Sequence, residues 1–403
     1  MAMAENKEKK VLNVPNLRFP EFEGEWEEHY LSDYLDFKNG LNPKPERFGK
    51  GIRFISVMDI LNNAVITNDC IRASVDVSEE ELLSFCVENG DILFQRSSET
   101  LEDVGRANVY MDNKPAVFGG FVIRGKKKAE YDPLFFRYLL ASPFARKKII
   151  PMGAGAQHFN IGQEGLNKVK LHFALLDEQK KIARLLSLLD ERIATQNKII
   201  DKLQSLIKGI SNRLLYADNS MSIRIEEMLI ERSERTKKNN QYEILSSTVN
   251  GIFSQRDYFS KDIASDNNVG YKIIHLHDIV LSPQNLWMGN INFNDKFDIG
   301  IVSPSYKVFS IADGFDKKYV AALLKTHHAL YNYMLVSEQG ASTVRRNLNY
   351  EAFEQLVFKI PSLNKQQEIG HVISLLKSQL ENANLLIKTY NSQKQYLLRQ
   401  MFI

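Results

Sequence analysis

The seven residues Leu176-Asp177-Glu178-Gln179-Lys180-Lys181-Ile182 return further along the chain as Leu363-Asn364-Lys365-Gln366-Gln367-Glu368-Ile369, a shift of 187 positions (366 minus 179). The same shift relates Leu185-Leu186-Ser187-Leu188-Leu189 to Val372-Ile373-Ser374-Leu375-Leu376, and Gly90-Asp91-Ile92-Leu93 to His277-Asp278-Ile279-Val280. Fainter echoes lie between these blocks. Gly155-Ala156 and Asn160-Ile161 answer Gly340-Ala341 and Asn347-Leu348, with two extra residues in the second copy. Tyr131-Asp132 and Phe315-Asp316 each precede an apolar, helix-like run. A period this long means a duplicated domain rather than a solenoid. The chain must therefore build one plan twice: a mixed α/β region, then a long helix.

The helical halves carry a continuous apolar seam. In the first it runs Ile182, Leu186, Leu189, Ile193, Gln196, Ile200, Leu203, Ile207, Ile210 and Leu214, in alternating steps of four and three. The second reads Ile369, Ile373, Leu376, Leu380, Ala383, Ile387, Tyr390, Lys394, Leu397 and Met401. Such spacing is that of a coiled coil, and neither stretch contains proline. At 1.5 Å per residue each helix is about 50–60 Å long. A lone helix with one apolar stripe is unstable in water. The other copy in the same polypeptide is the partner at highest effective concentration. Antiparallel pairing is expected, with the polar seam residues Gln196 and Lys394 helping to set register. The expected organisation is a tail at 1–13, a first domain at 14–175, a helix at 176–217, a second domain at 218–361 and a second helix at 362–403.

Composition fits this plan. With 403 residues, 44% hydrophobic and 25% charged, the chain has enough apolar material for two or more domains. No run of eighteen apolar residues exists that could cross a bilayer as a helix, and the stretch Met1 to Lys10 lacks the apolar core of a secretory signal. Cys70 and Cys86 have no partners at metal-ligand spacing and read as buried thiols in a reducing, cytoplasmic compartment. The net charge of +3 is too small to argue for nucleic-acid binding in bulk, so any such contact must come from local clusters.

Beyond these patterns, the opening Val14-Pro15-Asn16-Leu17-Arg18-Phe19-Pro20-Glu21-Phe22-Glu23-Gly24-Glu25-Trp26 resembles the start of many type I restriction-modification specificity subunits. So does the twice-used helix start Leu-x-x-Gln-x-x-Ile, at Leu176 to Ile182 and Leu363 to Ile369. Pro361-Ser362-Leu363 fits the family's proline-containing approach to the helix, whereas Ala174-Leu175-Leu176 lacks the proline. Gly340 to Leu348 is similar to the family's segment before that helix. Its counterpart Gly153 to Ile161 keeps the glycines but has Gln157-His158-Phe159 in place of the basic part. The resemblance spans residues 14 to 403. It implies an α+β chain with two target recognition domains separated by two long antiparallel coiled-coil helices, related by a pseudo-twofold duplication. It further implies a non-catalytic subunit that binds double-stranded DNA, with each domain reading one half of a bipartite asymmetric site. Two modification subunits and two restriction subunits would be its partners. S-adenosylmethionine, ATP and Mg would be bound on those partners, with no cofactor and no metal in this chain.

If DNA is the ligand, phosphate contacts position each domain and base-edge contacts specify sequence. Phosphate candidates in the first domain are Lys44, Arg47, Lys50 and Arg53, the run Lys126-Lys127-Lys128, and Arg146-Lys147-Lys148. In the second they are Arg232, Arg235, Lys237 and Lys238, with Arg345-Arg346 near its end. Base reading calls for side chains with paired donors and acceptors. Candidates are Gln95-Arg96-Ser97-Ser98, Ser254-Gln255-Arg256, and Ser282-Pro283-Gln284-Asn285 followed by Trp287. The first and third of these follow matching strands of the duplication. Ordinary solvated turns are the alternative for each.

Catalytic signatures fail on inspection. Asn42-Pro43-Lys44-Pro45 and Ser303-Pro304-Ser305-Tyr306 do not supply the Asn/Asp-Pro-Pro-Tyr/Phe loop of an adenine methyltransferase. Gly120 to Lys126 has phosphate-loop spacing, but Lys127 stands where Ser or Thr is required, and Phe121-Val122-Ile123 reads as an edge strand. His275 and His277 alternate on a strand-like run without acidic or cysteine partners at zinc spacing. Asp177-Glu178 reads as capping at the positive end of a helix. The competing reading is a coiled-coil scaffold for protein partners, without DNA specificity.

Overall fold

The computed structural model describes residues 12–215, 221–258, 267–339 and 346–403. Most of the tail expected at 1–13, the seam side chain Leu214 and the candidate Arg345 lie outside the described residues. Asn13 is not part of a solvated tail: its N–H donates to Glu25 and its carbonyl accepts from Trp26 N–H. The chain forms two compact units, 1–197 with 385–403, and 198–384.

The duplication is visible in sheet topology. Unit 1 has a four-stranded antiparallel sheet made of β1 (Leu35–Asn39), β2 (Ile92–Gln95), β3 (Ala107–Val109) and β4 (Val122–Lys127), in the order β1-β4-β2-β3. The helix α1 (Pro133–Ala141) follows, and α2 (Leu176–Leu215) closes the copy. Unit 2 repeats it with β5 (Leu229–Glu231), β6 (Ile279–Leu281), β7 (Ile291–Phe293) and β8 (Lys307–Ile311), in the order β5-β8-β6-β7. Helices α3 (Lys317–Leu323) and α4 (Leu363–Gln400) then follow. Each sheet is preceded by a strand, Glu27–Tyr30 or Met221–Arg224, paired antiparallel with the strand that leads into the long helix. β4 is an interior strand of its sheet, not the edge strand expected for Phe121-Val122-Ile123, because β1 and β2 flank it on both sides.

The repeated glutamine explains why the helix start recurs. Gln179 is buried; its Oε1 accepts the Asp132 N–H (3.0 Å) and its Nε2 donates to the Ala174 carbonyl (2.8 Å). Gln366 does the same with Asp316 N–H (3.1 Å) and the Pro361 carbonyl (2.9 Å). Asp132 and Asp316 in turn cap α1 and α3, each accepting from the backbone N–H three residues on at 2.8 Å. One side chain thus satisfies a buried carbonyl and a half-buried N–H; a buried group left unpaired would cost about 1–3 kcal/mol. The missing proline at Ala174 changes nothing here, since only the carbonyl at that position is used. Three residues beyond each glutamine, Ile182 and Ile369 enter the cores.

The described seam side chains of α2 and α4 are all buried or half-buried, while most positions between them are exposed. In unit 1 the start of α2 packs with the end of α4: Ile182, Leu186 and Leu189 share a core with Leu397, Leu398, Met401 and Phe402. Asp190 further along α2 meets Lys394, further back on α4, so this packing is antiparallel. Lys394, one of the two polar seam residues, makes that ion pair. The aromatic centre of unit 1 is Trp26 set edge-on to Phe135 (5.9 Å) and to Phe402 (6.3 Å). The segment before Trp26 straps the helix ends: Leu17 N–H donates to the Gln400 carbonyl, and Arg18 makes two bonds of 2.8 Å to the buried Glu178. Glu178 therefore does more than face the helix N-terminus; it is the buried anchor of this strap.

The units differ in what is inserted between the first and second, and between the third and fourth, sheet strands in chain order. In unit 1 the insert is a small sheet, Phe48–Ile55 paired antiparallel with Ser74–Val75 and parallel with Ala116–Phe118, over its own apolar cluster. In unit 2 it is a hairpin, Leu245–Thr248 with Gly251–Ser254, beside the antiparallel pair Lys272–His275 and Ile299–Val302.

Candidate nucleic-acid interface

The loops after β2 and β6 are each joined to the glycine-led segment of the same unit. In unit 1, Ser97–Ser98 pair with Phe159–Asn160, and Ile161 N–H donates to the Arg96 carbonyl (2.9 Å). Ala154 and Asn160 exchange backbone bonds of 2.9 and 2.8 Å, which closes a loop carrying the exposed Gln157 and His158. Phe121 stands beside it, 68% exposed, with its carbonyl bonded to Arg96 N–H. In unit 2, Arg346 N–H donates to the Gln284 carbonyl (3.2 Å), and the guanidinium lies over the Trp287 ring at 5.0 Å. Gln284 is exposed and Asn285 half-buried. Each copy therefore brings together two segments that lie about sixty residues apart in sequence, on one frame but with different side chains.

Several candidates are committed elsewhere. Gln95 is buried at 5% exposure and donates to the Ser97 carbonyl (2.9 Å), so it shapes the loop rather than presenting its amide to a base. Arg96 is half-buried against the Gly120 carbonyl (3.2 Å), and Ser97 Oγ bonds Asn160. Arg47 grips Glu81 through two nitrogens and the Asp76 carbonyl through a third. That guanidinium holds the Glu81 carboxyl at about 2. Lys50 pairs with Asp76 (3.0 Å) but stays exposed. In the Lys126-Lys127-Lys128 run, Lys126 pairs with Glu88 (2.6 Å), Lys128 faces Asp36 (3.7 Å), and Lys127 caps the Tyr131 carbonyl over its ring. These side chains alternate across the faces of an interior strand, which disperses them. Arg146 turns inward to the Glu102 and Val104 carbonyls, and burial pushes it down to about 10. Arg232 pairs with the buried Asp278 (2.9 Å), and Arg235 donates to the Gly270 carbonyl. Gln255 is half-buried near Ser246.

Lys50, Lys128 and Arg235 remain exposed despite these bonds, and Lys44, Arg53, Lys147 and Lys148 in unit 1 and Lys237, Lys238 and Arg256 in unit 2 are outward as well. Lys237 and Lys238 sit on a turn braced by the buried Asn268, which bonds Thr236, Asn239 and Asn240. His275 bonds Glu234 (2.8 Å), and His277 stacks on Phe293. Among the described residues no group of three His, Cys, Asp or Glu could hold a metal. The two thiols are free and half-buried rather than buried. No described helix is long and apolar enough to cross a membrane.

Two copies of one antiparallel mixed domain, each running into a helix of about forty residues, define a duplicated recognition fold. Residues 23–205 match the family model described as the type I restriction modification DNA specificity domain. Over 210 residues the chain is 27% identical to the putative type I restriction enzyme MjaX specificity subunit of Methanocaldococcus jannaschii, covering 51% of this chain and 49% of that one. Over 188 residues it is 24% identical to the type I restriction enzyme EcoKI specificity subunit of Escherichia coli K12, covering 46% and 39%. The matched stretches thus span half or less of these relatives' length. A crystal structure of a type I restriction-modification S subunit from M. genitalium shares the fold over 97% of this chain and 99% of that one, with a TM-score of 0.60 at 14% identity. A chain from a study of assembly and conformational transition of the type I R-M system aligns over 94% and 97%, with a TM-score of 0.54 at 11% identity. The resemblance read from the sequence therefore holds at the level of fold, and over residues 23–205 as a match to the family model.

Proposed function

We propose that the chain is the non-catalytic, sequence-specific DNA-binding subunit of a type I restriction-modification enzyme. Each unit reads one half of a bipartite, asymmetric site, and the long helices set the spacing of the halves and dock two modification subunits. Those subunits bind S-adenosylmethionine; two restriction subunits bring ATP and Mg. The observation that carries this reading is that one sheet order recurs in both units while the loops and inserts on it differ. A common frame with unlike readers suits two unlike half-sites, whereas a scaffold for protein partners needs neither. The test is modified-base sequencing of DNA from cells expressing the chain with its modification subunits. Methylation should fall on a single split motif and vanish when this chain is omitted. Methylation without the chain, or with no sequence preference, would refute the proposal.

A further inference from the structure

One buried asparagine in each unit joins the insert to the helical layer, and the construction is the same in both. Asn108 pairs across the sheet with Leu93, and Asn292 with Val280; Leu93 and Val280 are related by the 187-residue shift, so the two asparagines face equivalent strand positions. The Asn108 amide donates to the carbonyls of Ile60 (3.0 Å) and Asn63 (2.8 Å) in the insert. Its own carbonyl accepts from Arg137 Nε on α1 (3.1 Å). The Asn292 amide donates to Ser247 Oγ (2.7 Å) and the Thr248 carbonyl (2.7 Å) in the inserted hairpin. Its carbonyl accepts from Lys325 Nζ, just beyond α3, at 2.6 Å, and the same ammonium reaches the Val249 carbonyl (3.3 Å). In unit 1 the relay continues: Arg137 and Tyr138 both meet Asp190 of α2, which also holds Lys394 of α4.

The inserts tied this way carry the outward cations Lys44 and Arg53 in one unit and Lys237, Lys238 and Arg256 in the other. Apolar packing would hold an insert in place without fixing its rotation. A cation–amide–carbonyl relay is directional and admits one orientation of the amide. The second relay is also expensive for the fold. Burial pushes the Lys325 ammonium down to about 8, and the Lys377 ammonium on α4 pushes it further the same way. A desolvated charge kept where it costs stability marks a candidate functional position.

We propose that Arg137 and Lys325 are positioning residues for sequence discrimination, each fixing, through Asn108 or Asn292, the insert that reads one half of the DNA site. Neither touches a base. The inference rests on the DNA-reading function proposed above. The experiment uses the full chain with its modification subunits, on a duplex selected with the wild type and on two altered duplexes, each scrambled in one half. Arg137→Gln should lower discrimination about tenfold at one half-site only, the size of one misplaced base contact. Lys325→Gln should do so at the other half-site only, while the melting midpoint of unit 2 holds or rises. Arg137→Lys, which keeps the cation, should recover part of the loss. Wild-type discrimination in both glutamine variants, or equal loss at both half-sites, overturns the inference and leaves the DNA-reading function standing. A wild type that discriminates among no duplexes overturns both. Should Arg137→Gln fail to fold, Lys325→Gln decides alone, because it removes a charge that the fold pays to keep.

Discussion

The two units share a frame and, among the described residues, differ in the apolar and charged side chains packed around it. Unit 1 is completed by the far end of the chain: Leu397, Leu398, Met401 and Phe402 are all buried in its core. Both units draw on the start of the helix that directly follows them, unit 1 through Ile182 and Leu186 and unit 2 through Ile369 and Ile373. The electrostatics are reversed as well. Asp190 of unit 1 accepts from Arg137, Tyr138 and Lys394, whereas the residue 187 positions on is Lys377, a second cation near Lys325. The comparison teaches that duplication preserved backbone-directed contacts, the glutamine clamp and the asparagine relay. Charges and core partners diverged around them.

The strongest test of that contrast is a truncation. Removing residues 397–403 takes four buried apolar side chains from unit 1, each worth about 1.5–3 kcal/mol. That approaches the whole stability of a domain. Hydrogen exchange should show unit 1 open and unit 2 still protected. Equal protection in both would mean that the C-terminal residues are dispensable to unit 1.

Next in size is a pair of substitutions that should behave alike. Gln179→Ala and Gln366→Ala each strand one half-buried N–H and one buried carbonyl, a loss of roughly 2–4 kcal/mol in the affected unit. Matching losses, measured as the drop in each unit's denaturant midpoint, are expected because the bond partners match. A loss more than twice as large in one unit would show that the clamp is not equivalent in the two copies.

These contacts also show where sequence reading stops. The helix start and the seam were legible because they repeat at a fixed shift or a fixed heptad step, whereas Asp132 and Asp316 were legible only as matching residues before a helix-like run, not as caps. Base-reading loops were legible only as places. Gln95 has the right chemistry for adenine, yet the chain folds its amide inward onto Ser97, which no local pattern announces. Arg47 and Lys126 look like phosphate ligands until the fold brings Glu81 and Glu88 to them from 34 and 38 residues away. Asn108 and Asn292 carried a faint signal, since they occupy matched strand positions, but their partners come from segments that do not resemble one another. The role of the Val14 to Trp26 opening was invisible, because its anchors, Glu178 and Gln400, lie far along the chain.

A smaller effect follows from Lys325. Its ammonium titrates at about 8 in the folded chain, below the ordinary lysine value, so the unfolded chain binds more protons between those two values. Unit 2 should therefore gain stability as pH rises through that window and carry the full cost below about 8, roughly 3 kcal/mol at most. Lys377→Asp would place an acid where unit 1 has Asp190 and should remove much of the alkaline gain. The check is the difference in melting midpoint between wild type and Lys325→Gln at pH 7 and pH 9.5. A difference that does not shrink with rising pH would contradict the buried-charge account.

The smallest effect concerns one turn that the copies solve with different residues. Gly90 and His277 precede the equivalent aspartates Asp91 and Asp278, and both backbones are left-handed, at φ +93° and +75°. Glycine adopts that region freely, whereas a side chain there costs about 1 kcal/mol. The second copy bears this cost and regains part of it by stacking the imidazole on Phe293, rings 5.6 Å apart. Gly90→His moves the second copy's solution into the first. A Cβ there would meet Lys127 and Pro133 at 3.5 Å, ordinary contact, so crowding adds nothing and the backbone term should appear by itself. Unit 1 should lose about 1 kcal/mol, while His277→Gly should change unit 2 by less than that, strain relief and lost stacking opposing one another. Denaturant midpoints for the two variants decide it. A larger loss from His277→Gly than from Gly90→His would mean that stacking, not backbone geometry, governs this turn.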